Sequence, residues 1–459
     1  MTVLRRFLLS VLASAMALAA AAQITFSGNS RDVMEIEPEF STGLKRIFVL
    51  NSAEGVSMTY TATTENPVTW SVYDEMGGAY ATEVEGVEFN GLESTLHNVK
   101  ADCGYIITEG TTPYYFWVTD YSKHMFSISS VDAPSDGDCS TVTINVDGQG
   151  ADIPYFTITG VRKVLSRDIK LSYQNLAWSD DEHWHSVDTV ETLESLKPTI
   201  VIPAPLCNTT FTISGDRFLE FWDMASVKSK TSDLYVTAAV DAHATATQES
   251  RDNPNEQKSG DEMSLGGSAP VHIYFQSFVT DAVVHREWQM ATDADFNDIV
   301  LRINQDDYEE TFNDAGEYYW RFVAANADGT CETISETFTV NVGVSVLQIP
   351  NVFTPGVTEG QNDIWMVSYS SITEFHCWIY NRWGVLMCEF TDPSQGWDGY
   401  YKGKLVPTGV YYYVIQARGS DGQKYKRSGD INVIRYRKNE APDINPNPNP
   451  DIVPDGDGQ

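Results

Sequence analysis

Residues 312–323 read FNDAGEYYWRFV, and this stretch decides the fold. A turn at Asn313-Asp314-Ala315-Gly316 feeds a run of aromatic and β-branched residues, and Tyr318 stands two positions after the turn glycine. In Greek-key sandwiches a tyrosine so placed ties the corner to the upstream backbone through its hydroxyl. Outward from this point the same pattern recurs. Alternating or β-branched runs lie at 46–50, 57–63, 68–73, 114–119, 141–146, 155–159, 200–202, 271–278, 318–324 and 337–342. Asn66-Pro67, Gly77-Gly78, Asp136-Gly137 and Asp328-Gly329 punctuate them. Short, frequent strands separated by turn dipeptides, with no sustained 3.6-residue period, predict an all-β chain of stacked sandwiches.

The chain has 459 residues, enough for roughly three or four domains. Its charge is unevenly distributed. Residues 23–346 carry 18 basic and 51 acidic side chains, whereas residues 347–436 carry 8 of each. The break predicts that the last folded unit does a different job from what precedes it. An overall formal charge of −34 excludes phosphate-backbone recognition and opposes docking on anionic lipid, so no nucleic-acid partner is expected.

The beginning reads as a signal peptide over 1–22: Arg5 and Arg6, an apolar run over 7–19, then Ala20-Ala21-Ala22 before Gln23. No other apolar run approaches the ~18 residues of a spanning helix, so no transmembrane segment is expected. The partition that follows is an Ig-like β domain at 24–134, a β domain at 135–250, a PKD/Ig-like domain at 265–344, a compact domain at 347–436 and a disordered Asn-Pro-rich tail at 437–459. The polar stretch 248–267 reads as a linker or long loop.

Two resemblances sharpen this outline. The stretch 312–323, with 270–278, Glu287-Trp288-Gln289 and 338–342, resembles a polycystic-kidney-disease-type (PKD) repeat, an Ig-like sandwich. The C-terminal motifs are Phe353-Thr354-Pro355, Asn362-Asp363, Asn381-Arg382-Trp383-Gly384, Trp397-Asp398-Gly399 and Pro407-Thr408-Gly409-Val410-Tyr411. Together they resemble the gliding-motility-associated C-terminal domain, the type B sorting domain of type IX secretion in Bacteroidetes. The resemblance implies a small β-sandwich recognised by the type IX secretion machinery, and a protein released or held at the outer-membrane surface after crossing the periplasm. The loop Gly356-Val357-Thr358-Glu359-Gly360 departs from the family, which has an Asn and an acidic Gly-rich loop there, and no cation site is carried over to it. Lys424, Lys426, Arg427, Arg435, Arg437 and Lys438 cluster at the end of this unit, either as a basic face for an acidic partner or as a guarded sheet edge.

Six cysteines in an exported chain favour disulfides. The preferred pairs are Cys103–Cys139, Cys207–Cys331 and Cys377–Cys388, contributing roughly 4, 5 and 3 kcal/mol by loop entropy; Cys139–Cys207 is the open alternative. The third pair follows from a turn that sets Asn381 opposite Gly384, and hence Cys377 opposite Cys388. Asp180-Asp181-Glu182-His183-Trp184-His185 and Asp293-Ala294-Asp295-Phe296-Asn297-Asp298 concentrate metal-ligand types. The first lacks a third ligand at a legible spacing and reads as a surface loop. The second lacks the glycine and distal glutamate of a calcium loop and reads as a turn with Phe296 inward, leaving Ca2+ as the sole candidate cofactor. No nucleophile elbow, zincin motif, P-loop or dinucleotide fingerprint occurs, so an enzyme is not expected. The expected role is a secreted or cell-surface, non-catalytic structural or adhesive element. Alternatives are a carbohydrate-binding module using Trp178 and Trp184, with Tyr114–Trp117 reading mainly as core, and behind it a glycan or peptide hydrolase.

Overall fold

The computed structural model describes residues 24–28, 31–224, 228–258, 264–357 and 359–435. The expected signal peptide and tail lie outside them. The described chain is all-β apart from one five-residue α-helix and short 3-10 turns. No helix among the described residues is long and apolar enough to cross a membrane. Two compact units result, the first comprising Met1–Asp241, Thr280–Ala282 and Asn326–Cys331, the second the remainder.

In the first unit a four-stranded sheet (order Ile24–Ser27, Ser57–Thr61, Glu93–Leu96, Val87–Asn90) faces a six-stranded one. The latter runs Met34–Ile36, Arg46–Leu50, Thr112–Asp120, Cys103–Glu109, Val68–Tyr73, Thr82–Glu83. Phe48, Trp70, Tyr105 and Phe116 fill the space between them with Met58 and Tyr60. The opposite face of the larger sheet is also covered, because Ile47, Val49, Tyr73 and Trp117 belong to a second core with Ile144, Ile169 and Phe211. Burial on both faces explains why Ile47 to Leu50 within the strand Arg46–Leu50 is a continuous apolar run rather than an alternating one. A single core therefore crosses the expected boundary at 134/135.

Arg167 anchors this second core. It is 1% exposed, and its guanidinium donates to Ala151 O (2.7 Å), His124 O (2.5 Å) and Asp216 Oδ2 (2.5 Å). Asp216 in turn caps the helix Arg217–Phe221 by accepting from Leu219 N and takes the Tyr121 hydroxyl. Every polar atom of the buried ion is thereby paired, which a buried charge requires.

The second unit begins with a sandwich. One sheet runs Ala242–Gln248, Val271–Val279, Tyr308–Phe312; the other runs Leu265–Gly267, Phe338–Val342, Gly316–Ala325, His285–Ala291, Ile299–Ile303. Phe275 stacks on Trp320 at 4.6 Å and Trp288 packs on Phe322 at 5.0 Å. Because Ala242–Gln248 pairs along its whole length with Val271–Val279, this sandwich starts at 242 rather than 265. The Tyr318 hydroxyl donates to Asp314 O at 3.0 Å, the expected corner bond. The C-terminal domain has its own apolar core behind a five-stranded sheet ordered Val352–Phe353, Lys424–Val433, Gly409–Gly419, Ile372–Tyr380, Leu386–Phe390.

Candidate functional site

Motifs far apart in the C-terminal sequence meet in one aromatic knot. Val352 and Phe353 lie parallel to Asn432 and Val433. Phe353 packs on Trp397 at 5.4 Å between ring centroids, and Trp397 on Tyr411 at 5.1 Å. Trp397 exchanges both backbone hydrogen bonds with Trp365, whose indole N–H donates to Pro350 O at 2.7 Å. Gly399 adopts φ +78°, and a Cβ there would come within 3.0 Å of the Pro355 ring, so the Trp-Asp-Gly turn can sit against Phe-Thr-Pro only as glycine. Asp398 steadies that turn by accepting from Tyr400 N at 2.9 Å.

The Asn362-Asp363 pair closes the loop after Pro355. Thr354 N donates to Asn362 O (2.8 Å), and the two Asp363 oxygens accept from Gly356 N (2.8 Å) and Gly360 N (2.7 Å). Gly409 leads into the long strand Gly409–Gly419, and the Tyr411 hydroxyl reaches back to Pro407 O at 3.1 Å. This is the Tyr318 corner repeated, with the same spacing from glycine and from acceptor, a repetition the sequence reading missed.

Asn381-Arg382-Trp383-Gly384 forms the tip of a hairpin. The Asn381 side chain accepts from Trp383 N and Val385 N, each at 3.0 Å, and Gly384 turns through φ +78°. Trp383 is 73% exposed with the Arg382 guanidinium over its ring at 4.2 Å. Gly384 N donates to Asn381 O while Asn381 N donates to Val385 O, both at 3.0 Å, so the left-handed glycine adds a residue to the turn. A bulge between Ile379 and Tyr380 follows, and Cys377 comes to lie opposite Phe390 while Cys388 lies opposite Ile379. The expected Cys377–Cys388 bond is therefore not formed.

The other expected pairs are corrected too. The disulfide joins Cys139 to Cys331, while Cys103, Cys207, Cys377 and Cys388 are free thiols. Cys103 is buried at the start of the strand Cys103–Glu109 with its thiol toward Lys100 O, whereas Cys139 lies on an exposed loop and is bonded to Cys331. Cys207 is likewise turned inward, its thiol toward Gln174 O. Burial pushes the Cys103 thiol up to about 11 and Cys377 up to about 12.

Within the stretch read as a linker or long loop, residues 251–257 strap onto the C-terminal domain. The Asn255 amide donates to Val367 O and Pro393 O, both at 2.8 Å. Gln257 N donates to Tyr369 O (2.7 Å) and Tyr369 N to Asn255 O (3.1 Å), giving a parallel bridge at Glu256. Asn253 donates to Glu256 and to the Tyr369 hydroxyl, and Arg251 pairs with Glu256 at 2.9 Å. Ala269 N donates to Ser371 Oγ and Ala315 N to Ser420 O, which fix the same domain from two further points. Composition alone could not distinguish a polar segment whose amides meet water from one whose amides meet carbonyls.

Trp178 and Trp184 face each other across the hairpin Ile169–Ser179/His183–Leu193, with rings 5.6 Å apart at 67°, so they form no coplanar platform. Phe116 and Trp117 are buried. Asp293 accepts from the backbone N–H groups of Asp295, Asn297 and Asp298 at 3.1–3.2 Å, and those bonds, led by Asn297, hold its carboxyl below the usual range. Phe296 is buried with Arg321 over its ring. Among the described residues no group of three or more His, Cys, Asp or Glu side chains is placed to hold a metal. Lys424, Lys426, Arg427 and Arg435 are exposed; Arg437 and Lys438 lie outside the described residues.

Comparison with known proteins assigns two segments. Residues 347–433 match the family CHU_C, the type IX secretion signal domain, and residues 130–232 match Fn3_FA, a fibronectin type III domain. No curated protein matches. Similar solved structures include the tetra-tandem repeat in the extending region of a large adhesion protein (10% identity, 84% of this chain and 96% of that chain, TM-score 0.22). Another is the set of Clostridium thermocellum CbhA fibronectin(III)-like modules (13% identity, 42% of this chain and 95% of that chain, TM-score 0.18). The chain thus ends in a type IX secretion signal preceded by a fibronectin-like sandwich. Such a signal implies interaction with that export machinery and points to a cell-surface or secreted fate.

Proposed function

We propose that this protein is a non-catalytic structural or adhesive element delivered to the cell surface or beyond, with residues 347–433 as its export signal and the acidic sandwiches ahead of it as the working part. The observation that carries the reading is the secretion-signal match over 347–433, a segment whose motifs converge on one packed aromatic knot. The charge contrast supports a division of labour: the neutral domain addresses the machinery, while the strongly acidic part resists nonspecific adhesion to anionic envelopes. Deleting residues 347–459 should strand the chain in the periplasm, measured by cell fractionation. Surface display unaffected by the deletion overturns the reading.

A second reading, carbohydrate binding, is favoured by one face of the sheet Ala242–Gln248/Val271–Val279/Tyr308–Phe312. There Tyr274, 42% exposed and edge-on to His272 at 4.6 Å, stands in an open groove of about 750 Å3 with Thr247, Gln276, Asp307 and Glu309. An aromatic face among planar polar groups suits a sugar ring. Saturable binding on a glycan array, lost in Tyr274→Ala, would establish this reading over the adhesive one.

A further inference from the structure

The five-stranded sheet of the secretion signal domain has one face on its core and one in solvent, and one end of the solvent face carries an apolar stripe. Phe375, Cys377, Ile379, Tyr411, Ile415 and Ile431 point inward. Pairing then sets the outward rows: Val410 beside Asn432, Tyr412 between Tyr380 and Asp430, Val414 between Trp378 and Ser428. Next come Gln416 between His376 and Lys426, and Arg418 between Glu374 and Lys424. Three successive outward positions of the Gly409–Gly419 strand are thus Val, Tyr and Val, exposed by 43%, 46% and 37%. A half-solvated antiparallel sheet ordinarily alternates to polar residues there.

We propose that this outward face is the surface by which the chain is held during export, and that its partner is a protein surface with an apolar centre and an acidic border. The inference rests on the export reading above and adds the face and the chemistry of what meets it. The apolar rows supply aromatic anchors of the kind that dominate protein interfaces. Trp378 is already fixed, since its indole N–H (2.9 Å) and His376 Nε2 (2.6 Å) both engage Glu389 Oε1 and the two rings stack at 3.7 Å. Holding these rings in place lowers the ordering cost of docking. The rows at the other end specify charge: Arg418, Lys424 and Lys426 gather there, and among the described residues only Glu374 answers them, pairing Arg418 at 3.6 Å. Carboxylates bordering the partner's apolar centre complete that end. A second copy meeting this one through the apolar rows leaves both basic ends unanswered, and an anionic lipid surface is opposed by the chain's net charge of −34.

The test uses the full chain in its native host, followed by fractionation, with the 347–459 deletion alongside. Tyr412→Thr/Val414→Thr keeps strand-forming residues while removing the anchors; Lys424→Glu/Lys426→Glu reverses the basic end. Each pair is expected to lower the surface fraction roughly tenfold or more, the effect of a ~1.4 kcal/mol loss, with the thermal midpoint of the purified chain unchanged. If both variants reach the surface like the unaltered chain while the deletion is trapped, the proposed face is wrong and the export reading survives. If the deletion also reaches the surface, the export reading itself falls. Trapping by the Thr pair alone overturns the acidic border. A dimer in sedimentation that the Thr pair dissociates without affecting export makes a second copy the occupant and overturns the proposal. Should the Thr pair unfold the domain, the charge pair decides alone.

Discussion

Tyr318 and Tyr411 show how far a single residue can be read. Each follows a glycine by two positions and donates to the carbonyl four residues upstream, at 3.0 and 3.1 Å. The Gly-x-Tyr spacing after a turn made the first corner legible. The second was hidden inside a tyrosine-rich run, where nothing in the sequence separates the ring that turns back from those that cover the sheet. Tyr318→Phe should cost about 1 kcal/mol, the net worth of one such bond, as a lowered urea midpoint with unchanged slope, and Tyr411→Phe should cost the same. Asn255 is the opposite case, because its importance lies entirely in what it touches. Its amide N–H groups serve two carbonyls, and a carboxylate in its place would face those same oxygens with no donor. Asn255→Asp should therefore destabilise the second unit by about 2–3 kcal/mol, read by denaturant unfolding, whereas the same change at exposed Asp252's neighbour Asn253 should cost less, since Asn253 bonds side chains that can move with it.

Elements were legible where one face meets water and the other a core, and less so elsewhere. The strand Val271–Val279 alternates and runs one residue beyond the 271–278 read from the sequence. Arg46–Leu50 does not alternate, and its burial on both sides follows only from a second core that the sequence does not announce. The strand Cys103–Glu109 ends in a carboxylate that organises the loop after the strand Ser57–Thr61. The Glu109 side chain accepts from Thr64 (2.6 and 2.5 Å), Thr63 and the Tyr60 hydroxyl, and these bonds, led by the Thr64 hydroxyl, lower its pKa to about 2. A carboxyl with a depressed folded pKa stabilises above its unfolded value, about 4.3, and that contribution is lost as pH falls through the folded value. Hydrogen-exchange protection at Thr63 and Thr64 should thus decline between about pH 4.5 and 2, and Glu109→Gln should remove the decline. The hairpin at Asn381–Gly384 was legible as a turn, but its register was not: one left-handed glycine and one bulge changed every partner beyond it.

For the whole molecule, the cysteines give the sharpest check. One bond between Cys139 and Cys331, separated by 192 residues, leaves four thiols. Alkylation of the denatured, unreduced protein followed by mass measurement should count four, where three bonds would give none. Loop entropy over that separation is worth roughly 5 kcal/mol, so Cys331→Ser should lower the stability of the first unit by several kcal/mol in denaturant. The charge break at 346/347 correctly marked a domain with its own core, while the strap 251–257 and the contacts at Ala269 and Ala315 place that domain in the same compact unit as the sandwich before it.

The sequence by itself determined the all-β class, the corner tyrosine and the secretion-signal motifs, because each is written in spacing along a few neighbouring residues. Which cysteines meet, where a polar segment lies, and which sheet faces remain open were decided only in three dimensions. Those outcomes depend on registers and on cores assembled from residues a hundred or more positions apart, and no local pattern encodes a partner at that distance.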